Sequence, residues 1–479
     1  MKSLFAHQTN SVQRAAITAL GAVIALSSPI LAIAGDASKA TVETTSVIWE
    51  KPAWLTDLSL RVGESYDTNV YLAGVAWPEG NLVALRNKSS WVTTITPKIG
   101  VDLAKFLDKD NFVKSFTLGY SPDIVLFHDA SSESYQAHRF TTGFKGKADN
   151  VTVTLDNALT VINGDDDGLR YPGGASAYAN GTIRERRSQW QDRSKASVKI
   201  DLNESFFIRP TVSLLYYDLG SNFYKATGNY SGYTNFIDRY DVNGGADLGY
   251  NVNKDVAFTL GYRYGHQYQQ AYPDYASTGV TNLGRDATND YQRVLVGVEG
   301  SPLKWLKVEA QVGPQFTTYT DSRPYRDTVQ KYGLVDDNAT SVFAEASVTI
   351  APTKSDALVL KYKRWNWVAS TGVNAYIDTS FDASFRHQIT KDLQLALGVR
   401  ASNSDYNPYQ LRNDWLYTTS VGLKYNITKN LSWDLTYAYD RAENGQTQTA
   451  SSSGVWSNVD NSTRQFDRSI VSSGVTWAF

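Results

Sequence analysis

A transmembrane antiparallel up-and-down β-barrel of about 18 strands is the fold class this sequence predicts, from the alternation of its segments, the pattern of its connections and its wealth of aromatic residues. The last segment shows the alternation best. Val471, Ser473, Val475, Trp477 and Phe479 share one parity, and Ser472, Gly474, Thr476 and Ala478 the other. One face is mostly apolar and aromatic, the other small and polar, as in a strand with lipid on one side and water on the other.

The N-terminus reads as an export signal. Lys2 and Arg14 precede an apolar run from Ala15 to Ile33 that Ser27-Ser28-Pro29 interrupts, and Ala32-Ile33-Ala34 is a small-x-small cleavage site. The expected organisation is a signal peptide over 1–34, a short periplasmic segment over 35–56 and a barrel over 57–479. Cysteine is absent, which excludes a lipoprotein anchor, disulfides and thiolate metal sites. Beyond Ala34 no apolar run reaches the roughly 18 residues of a spanning helix. The mean hydropathy of −0.35 does not exclude a barrel, because half of each strand faces water. The chain has 30 Tyr and 12 Trp against one Met, and such rings collect at membrane–water interfaces. A net charge of −2 gives no attraction to nucleic acid.

Period-two alternation places strands near 58–71, 90–103, 112–127, 137–148, 150–161, 189–201, 206–218, 239–252, 255–268, 290–300, 305–319, 340–351, 356–368, 375–388, 393–402, 412–426, 431–441 and 466–479. Leu431, Trp433, Leu435, Tyr437 and Tyr439 form one apolar row, as do Val256, Phe258, Leu260, Tyr262 and Tyr264. Short connections such as Ile427–Asn430, Ile389–Asp392 and Ala351–Ser355 alternate with long ones rich in Gly, Ser, Tyr and Asn. Short periplasmic turns and long outer loops are the usual asymmetry of these barrels, and an even count lets the sheet close.

A barrel this wide leaves an aqueous channel. Its wet parity carries the wall bases Arg193, Arg209, Arg263, Arg293, Lys361, Lys363, Arg386 and Arg400, and bases outnumber acids on that face. Weak anion preference is the expectation. The longest loop, Asn163 to Ser188, has Asp165, Asp166 and Asp167 at one end and Arg184, Arg186 and Arg187 at the other. Folded inward it would form a pore constriction with a transverse field; left outside, it is a solvated surface loop. The clusters Tyr224/Tyr230/Tyr233, Tyr268/Tyr272/Tyr275 and Trp365/Trp367 read as the outer aromatic girdle, with a saccharide slide as the alternative.

Catalytic and metal motifs are absent from the sequence. His7, His128, His138, His266 and His387 have no metal-ligand spacing, and no nucleophile elbow or phosphate-binding glycine loop occurs. His128-Asp129 and His138 read as polar rim residues, so neither an enzyme nor a cofactor is expected.

The segment from Leu60 to Tyr71, with Tyr66, Asp67 and Asn69 in a Tyr-Asp-x-Asn core, and the second strand with its Thr96-Pro97 step resemble the opening of the family called Putative beta-barrel porin 2. Glu64 falls on the apolar parity of its strand, a conflict that a bulge near Tyr66 would resolve. The resemblance implies an outer-membrane channel, some of whose relatives are associated with exopolysaccharide export. Phe479 resembles the terminal signal that such barrels present to the barrel assembly machinery. The partners expected are outer-membrane lipids and lipopolysaccharide, that machinery, and small solutes or saccharides. A homotrimer is the usual assembly of porins with this architecture, and no strand stands out as its interface. The readings carried forward are a diffusion channel for small hydrophilic solutes, a polysaccharide-export or sugar-selective channel, and a non-conducting structural barrel.

Overall fold

The computed structural model describes residues 51–70, 89–108, 111–164, 189–218, 223–225, 231–233, 238–269, 287–319, 338–368, 375–405, 411–450, 456–458 and 465–479. Eighteen long strands form the barrel. They are β1 (Leu55–Asp67), β2 (Ser90–Asp102), β3 (Val113–Phe127), β4 (Tyr135–Ala148), β5 (Val151–Gly164), β6 (Gln189–Asp201), β7 (Phe206–Asp218), β8 (Arg239–Asn253) and β9 (Val256–Gln269). The second half comprises β10 (Asn289–Leu303), β11 (Leu306–Tyr319), β12 (Asn338–Ile350), β13 (Asp356–Val368), β14 (Ala375–Gln388), β15 (Leu393–Asp405), β16 (Leu411–Asn426), β17 (Leu431–Ala450) and β18 (Phe466–Ala478). Three-residue strands at Phe223–Lys225 and Ser231–Tyr233 pair with each other, and one at Trp456–Asn458 pairs with the end of β17.

Each strand pairs antiparallel with the next, and β18 returns to β1 over Ser59↔Ala478 to Asp67↔Ile470. The sheet is therefore closed, with no edge strand left to lipid. The connections alternate short and long as expected, except that the β2–β3 connection, 103–112, is longer than the β3–β4 one, 128–134. The β4–β5 turn is only Asp149-Asn150, with Asp149 at φ 44°, a conformation Asp tolerates in tight turns. In the β2–β3 turn the Asp102 carboxylate accepts from the Ala104 N–H and caps a short 3₁₀ turn over Leu103–Phe106.

One parity of every strand points outward. Leu60, Val212, Leu260, Val296, Val399 and Val475 lie exposed on it. Aromatic contacts run along one rim, Trp190 to Tyr216 at 4.5 Å, Tyr216 to Tyr240 at 6.2 Å and Tyr240 to Tyr268 at 5.0 Å between ring centroids. The opposite rim carries Phe206 with Tyr250 at 5.2 Å and Trp477 with Phe479 at 4.0 Å. Two aromatic rims bounding an apolar band are the exterior of a transmembrane barrel.

The family-like motif lies at the seam that closes the barrel. Asp67 points inward and makes a two-pronged ion pair with Arg468 of β18, both side chains almost fully buried. Asn69 donates its backbone N–H to Asp67 at 3.0 Å and its side-chain amide to the Asp467 carbonyl at 3.0 Å. Thr96 donates to Asp123 at 2.6 Å, and Asp123 pairs with Arg139 at 2.5 Å. Pro97 faces Pro122 where the β2–β3 ladder is interrupted between Ile95↔Ile124 and Ile99↔Tyr120, as expected of residues with no N–H to donate.

The bulge expected near Tyr66 is not present. The β1–β2 register runs unbroken from Asp57↔Gly100 to Asp67↔Ser90, and its one shift lies between Leu55 and Asp57. Glu64 therefore stays on the outer face, where Thr93 donates to it and His128 lies 3.8 Å away. A charged side chain there is held by polar neighbours rather than removed by a change of register.

Candidate pore constriction

Part of the lumen wall is neutralised by cross-strand ion pairs. Arg61 of β1 reaches Asp434 of β17 at 2.6 Å, passing over Gly63 and Gly474, where an added Cβ would meet the guanidinium at 2.7 and 2.5 Å. Arg209 bridges Glu299 at 2.9 Å and Asp247 at 3.0 Å, and Arg263 meets Asp247 at 2.6 Å. Arg400 pairs with Asp382 at 3.1 Å. Of the bases expected to set selectivity, Arg209, Arg263 and Arg400 are thus paired.

A second group of bases is not paired. The β12–β13 ladder ends at Ala344↔Arg364, whereas β13 continues to pair with β14 up to Val368↔Ala375. Beyond Arg364 the end of β13 leaves the wall and crosses into the lumen. The Gln267 amide of β9 donates to the Asn366 carbonyl at 2.9 Å, and Asn366 donates to the Tyr319 hydroxyl of β11 at 3.2 Å. Arg239 of β8 donates to the Val368 carbonyl. Trp365, Trp367 and Val368 are buried in a cluster with Tyr217, Leu295, Tyr319 and Phe343, inward-facing residues of β7, β10, β11 and β12. Asn366 and Val368 would face lipid if β13 stayed in the wall, and bending brings the Asn366 amide to a partner.

Around this cluster stand Arg193, Arg239, Arg293 and Lys363. Arg193 donates to the Tyr217 hydroxyl at 3.2 Å. Arg239 lies 5.1 Å from the Tyr217 ring and 4.9 Å from Trp367, and Arg293 lies 4.1 Å from Tyr291 and 4.2 Å from Phe343. Lys363 sits 4.1 Å above Trp365 and stands opposite Glu345 in the β12–β13 ladder, within Coulombic reach of Glu345 and Asp378 as well as of Arg193 and Arg293. Aromatic faces stabilise these cations in place of carboxylates. The nearby acids are otherwise engaged. Asp378 accepts from the Trp365 indole at 3.2 Å, and Asp241 accepts from Tyr291 at 3.0 Å and Gln267 at 2.9 Å. No ion pair holds any of the four bases among the described residues. Arg239 Nε and Arg293 Nη2 are buried without a hydrogen-bond partner, donors left over for an acceptor in the lumen.

The expected constriction residues Asp165, Asp166, Asp167, Arg184, Arg186 and Arg187 lie outside the described residues, as does the signal segment. Lys361 faces the lumen exposed and Arg386 half-buried. Assigning Trp365 and Trp367 to the girdle is corrected: both share the inward parity of Lys361 and Lys363 and are buried inside the lumen. Arg239, Tyr217, Phe343 and Asn366 escaped sequence reading. Arg239 does share the wet parity of Asp241 and Asp247, the one signal that could have found it.

The histidines serve no shared site. His128 approaches Glu64 and Thr93, His138 bonds the Tyr120 hydroxyl at 2.9 Å, His266 bonds Asp290 at 2.8 Å and His387 bonds Asp356 at 2.7 Å. Among the described residues no cluster of His, Asp and Glu could hold a metal ion.

No curated protein matches the chain. Solved structures similar to it include OccAB4 of Acinetobacter baumannii, at 10% identity and a TM-score of 0.37 over 88% of this chain and 98% of that one. OccK2 of Pseudomonas aeruginosa, in complex with glucuronate, is similar at 9% identity and a TM-score of 0.39 over 88% and 98%. The ferric citrate transporter FecA is similar at 12% identity and a TM-score of 0.38 over 89% and 79%. The architecture itself rests on the hydrogen-bonded ladders above. The opening strands, which carry the resemblance noted in the sequence, lie outside the family match that follows. Residues 335–459, from β12 through the inward-bent end of β13 to β17, match the model of the family Putative beta-barrel porin 2.

Proposed function

We propose that the protein is an outer-membrane channel that passes small hydrophilic solutes by diffusion, with a weak preference for anions set where β13 enters the lumen. The observation that carries this reading is the set Arg193, Arg239, Arg293 and Lys363, held by aromatic rings and neutral acceptors, while Arg209, Arg263 and Arg400 of the wall are ion-paired. Charged rings in a pore set ion preference. The test is the zero-current potential of the refolded barrel in a planar bilayer under a salt gradient. A potential of anionic sign supports the reading, and a cationic one refutes it.

A second reading, a sugar-selective or polysaccharide-export channel, is favoured by the Trp365–Trp367 stack at 4.7 Å beside the amides of Gln267 and Asn366. Aromatic faces with amide donors suit a saccharide ring. Block of conductance by oligosaccharides at low concentration would select this reading over simple diffusion.

A further inference from the structure

The inward positions of β10, β11 and β12 hold a row of three polar side chains, joined in the ladders as Arg293↔Gln315 and Gln315↔Ser341. Gln315 uses both ends of its amide. Its oxygen accepts from Arg293 Nε at 2.8 Å, and its nitrogen donates to the Thr317 hydroxyl at 3.1 Å. The Arg293 guanidinium reaches past β11 and lies 4.2 Å from the Phe343 ring of β12, and Ser341 is the neighbouring inward position on that strand. Two polar groups of the row remain. Arg293 Nη2 and Ser341 Oγ are both buried, and neither has a hydrogen-bond partner.

A buried N–H without an acceptor is unfavourable, the more so on a charged group. Arg293 is only 5% exposed, so bulk water does not bathe it. Its position is nevertheless fixed, by Gln315 at Nε and by the rings of Tyr291 and Phe343 against the guanidinium. The Ser341 hydroxyl can turn to meet an acceptor beside it. The row therefore presents two donors, one of them charged and held in place, that no acceptor of the protein meets.

The surrounding charge says which acceptor fits. Arg193, Arg239, Arg293 and Lys363 stand among three acids, Asp241, Glu345 and Asp378, which leaves one positive charge in excess. A neutral carbonyl or sugar hydroxyl would meet the donors and leave that charge. Chloride would meet the charge without offering two acceptor atoms, and a phosphate dianion exceeds it. A carboxylate brings one negative charge and two oxygens on one carbon, one for the guanidinium and one for the hydroxyl.

We infer that Arg293 and Ser341 form a binding site for the carboxylate of a small monovalent organic acid, which the channel passes by saturable binding at this point. The inference rests on the channel reading above and names a solute class for it.

The test is the single-channel chloride current of the protein in a planar bilayer at neutral pH, with sodium acetate added at millimolar concentration to an excess of chloride. The current should fall and the effect should saturate. Ser341→Ala, which removes one donor and no charge, should raise the half-blocking concentration about tenfold. Arg293→Lys keeps the charge without the planar N–H groups and should weaken the block at least as much. Ser347→Ala, further along the inward row of β12, should leave the block as it is. Acetate without effect on a channel of anionic zero-current potential overturns the inference and leaves the channel reading standing, whereas a cationic potential overturns both. Equal block of the wild type and a folded Ser341→Ala, or block by inorganic phosphate at lower concentration than by acetate, also overturns the carboxylate site.

Discussion

Replacing Arg293 and Lys363 together by Gln removes two positive charges that no ion pair holds among the described residues and leaves the ion pairs of Arg209, Arg263 and Arg400 intact. The size of the effect follows from Coulomb's law. A unit charge acting on a permeating ion about 6 Å away through water contributes about 0.7 kcal/mol. Two such charges contribute about 1.4 kcal/mol, or about tenfold in anion occupancy. Screening at ordinary salt, where the Debye length is about 10 Å, reduces this to about three- to tenfold. The assay is the zero-current potential under a salt gradient for wild-type and Arg293→Gln/Lys363→Gln barrels. The anion-to-cation permeability ratio should fall by that factor in the double variant and stay near the wild-type value in Arg293→Lys, which keeps the charge. An unchanged potential from a folded double variant would refute the assignment of selectivity to this cluster, as would a shift of the same size from Lys307→Gln, whose charge is already paired with Glu309 at 2.7 Å.

Asp67→Ala leaves Arg468 buried without its main partner at the closing seam; a loss of about 3–5 kcal/mol is expected, read as a lower urea midpoint for the heat-modifiable form. Trp367→Ala removes the ring that packs on Tyr217 and Trp365, and single-channel conductance should rise at constant salt. Gly474→Val drives a side chain into the Arg61 guanidinium, breaks its reach to Asp434 and should lower the same urea midpoint; Gly474→Ala should do so less. If the loop after β5 shares in the constriction, changing Asp165, Asp166 and Asp167 to Asn shifts the reversal potential further toward anions; an unchanged potential would count against that loop.

Alternation made the barrel legible. Strands expected at 189–201, 206–218, 356–368 and 375–388 are found at those bounds, because turn residues and a period-two pattern both mark where a one-sided strand starts and stops. The same parity placed Arg193, Arg293 and Lys363 on the lumen side. What parity could not supply is which bases are neutralised. Arg209 of β7 meets Glu299 of β10, three strands further along the sheet, a contact fixed by register and barrel curvature rather than by local sequence. The bend of β13 was equally hidden, since it depends on hydrogen bonds from Arg239 and Gln267 more than ninety residues earlier. A local signal was nonetheless present: Trp365 and Trp367 share the parity of Lys361 and Lys363, which places them inside rather than in the girdle. Glu64 shows the opposite case. Its position on the apolar parity reads as a conflict to be removed by a bulge, and the structure keeps the register and surrounds the charge with Thr93 and His128.

The measurement that tests the account most directly is single-channel recording of the refolded, heat-modifiable barrel in a planar bilayer under a salt gradient, with and without maltodextrins. Steady open steps with a small reversal potential of anionic sign are the predicted result, and sugar block would assign the Trp365–Trp367 stack to saccharides. A folded barrel that never conducts would show the inward-bent end of β13 to be a plug and would contradict the channel.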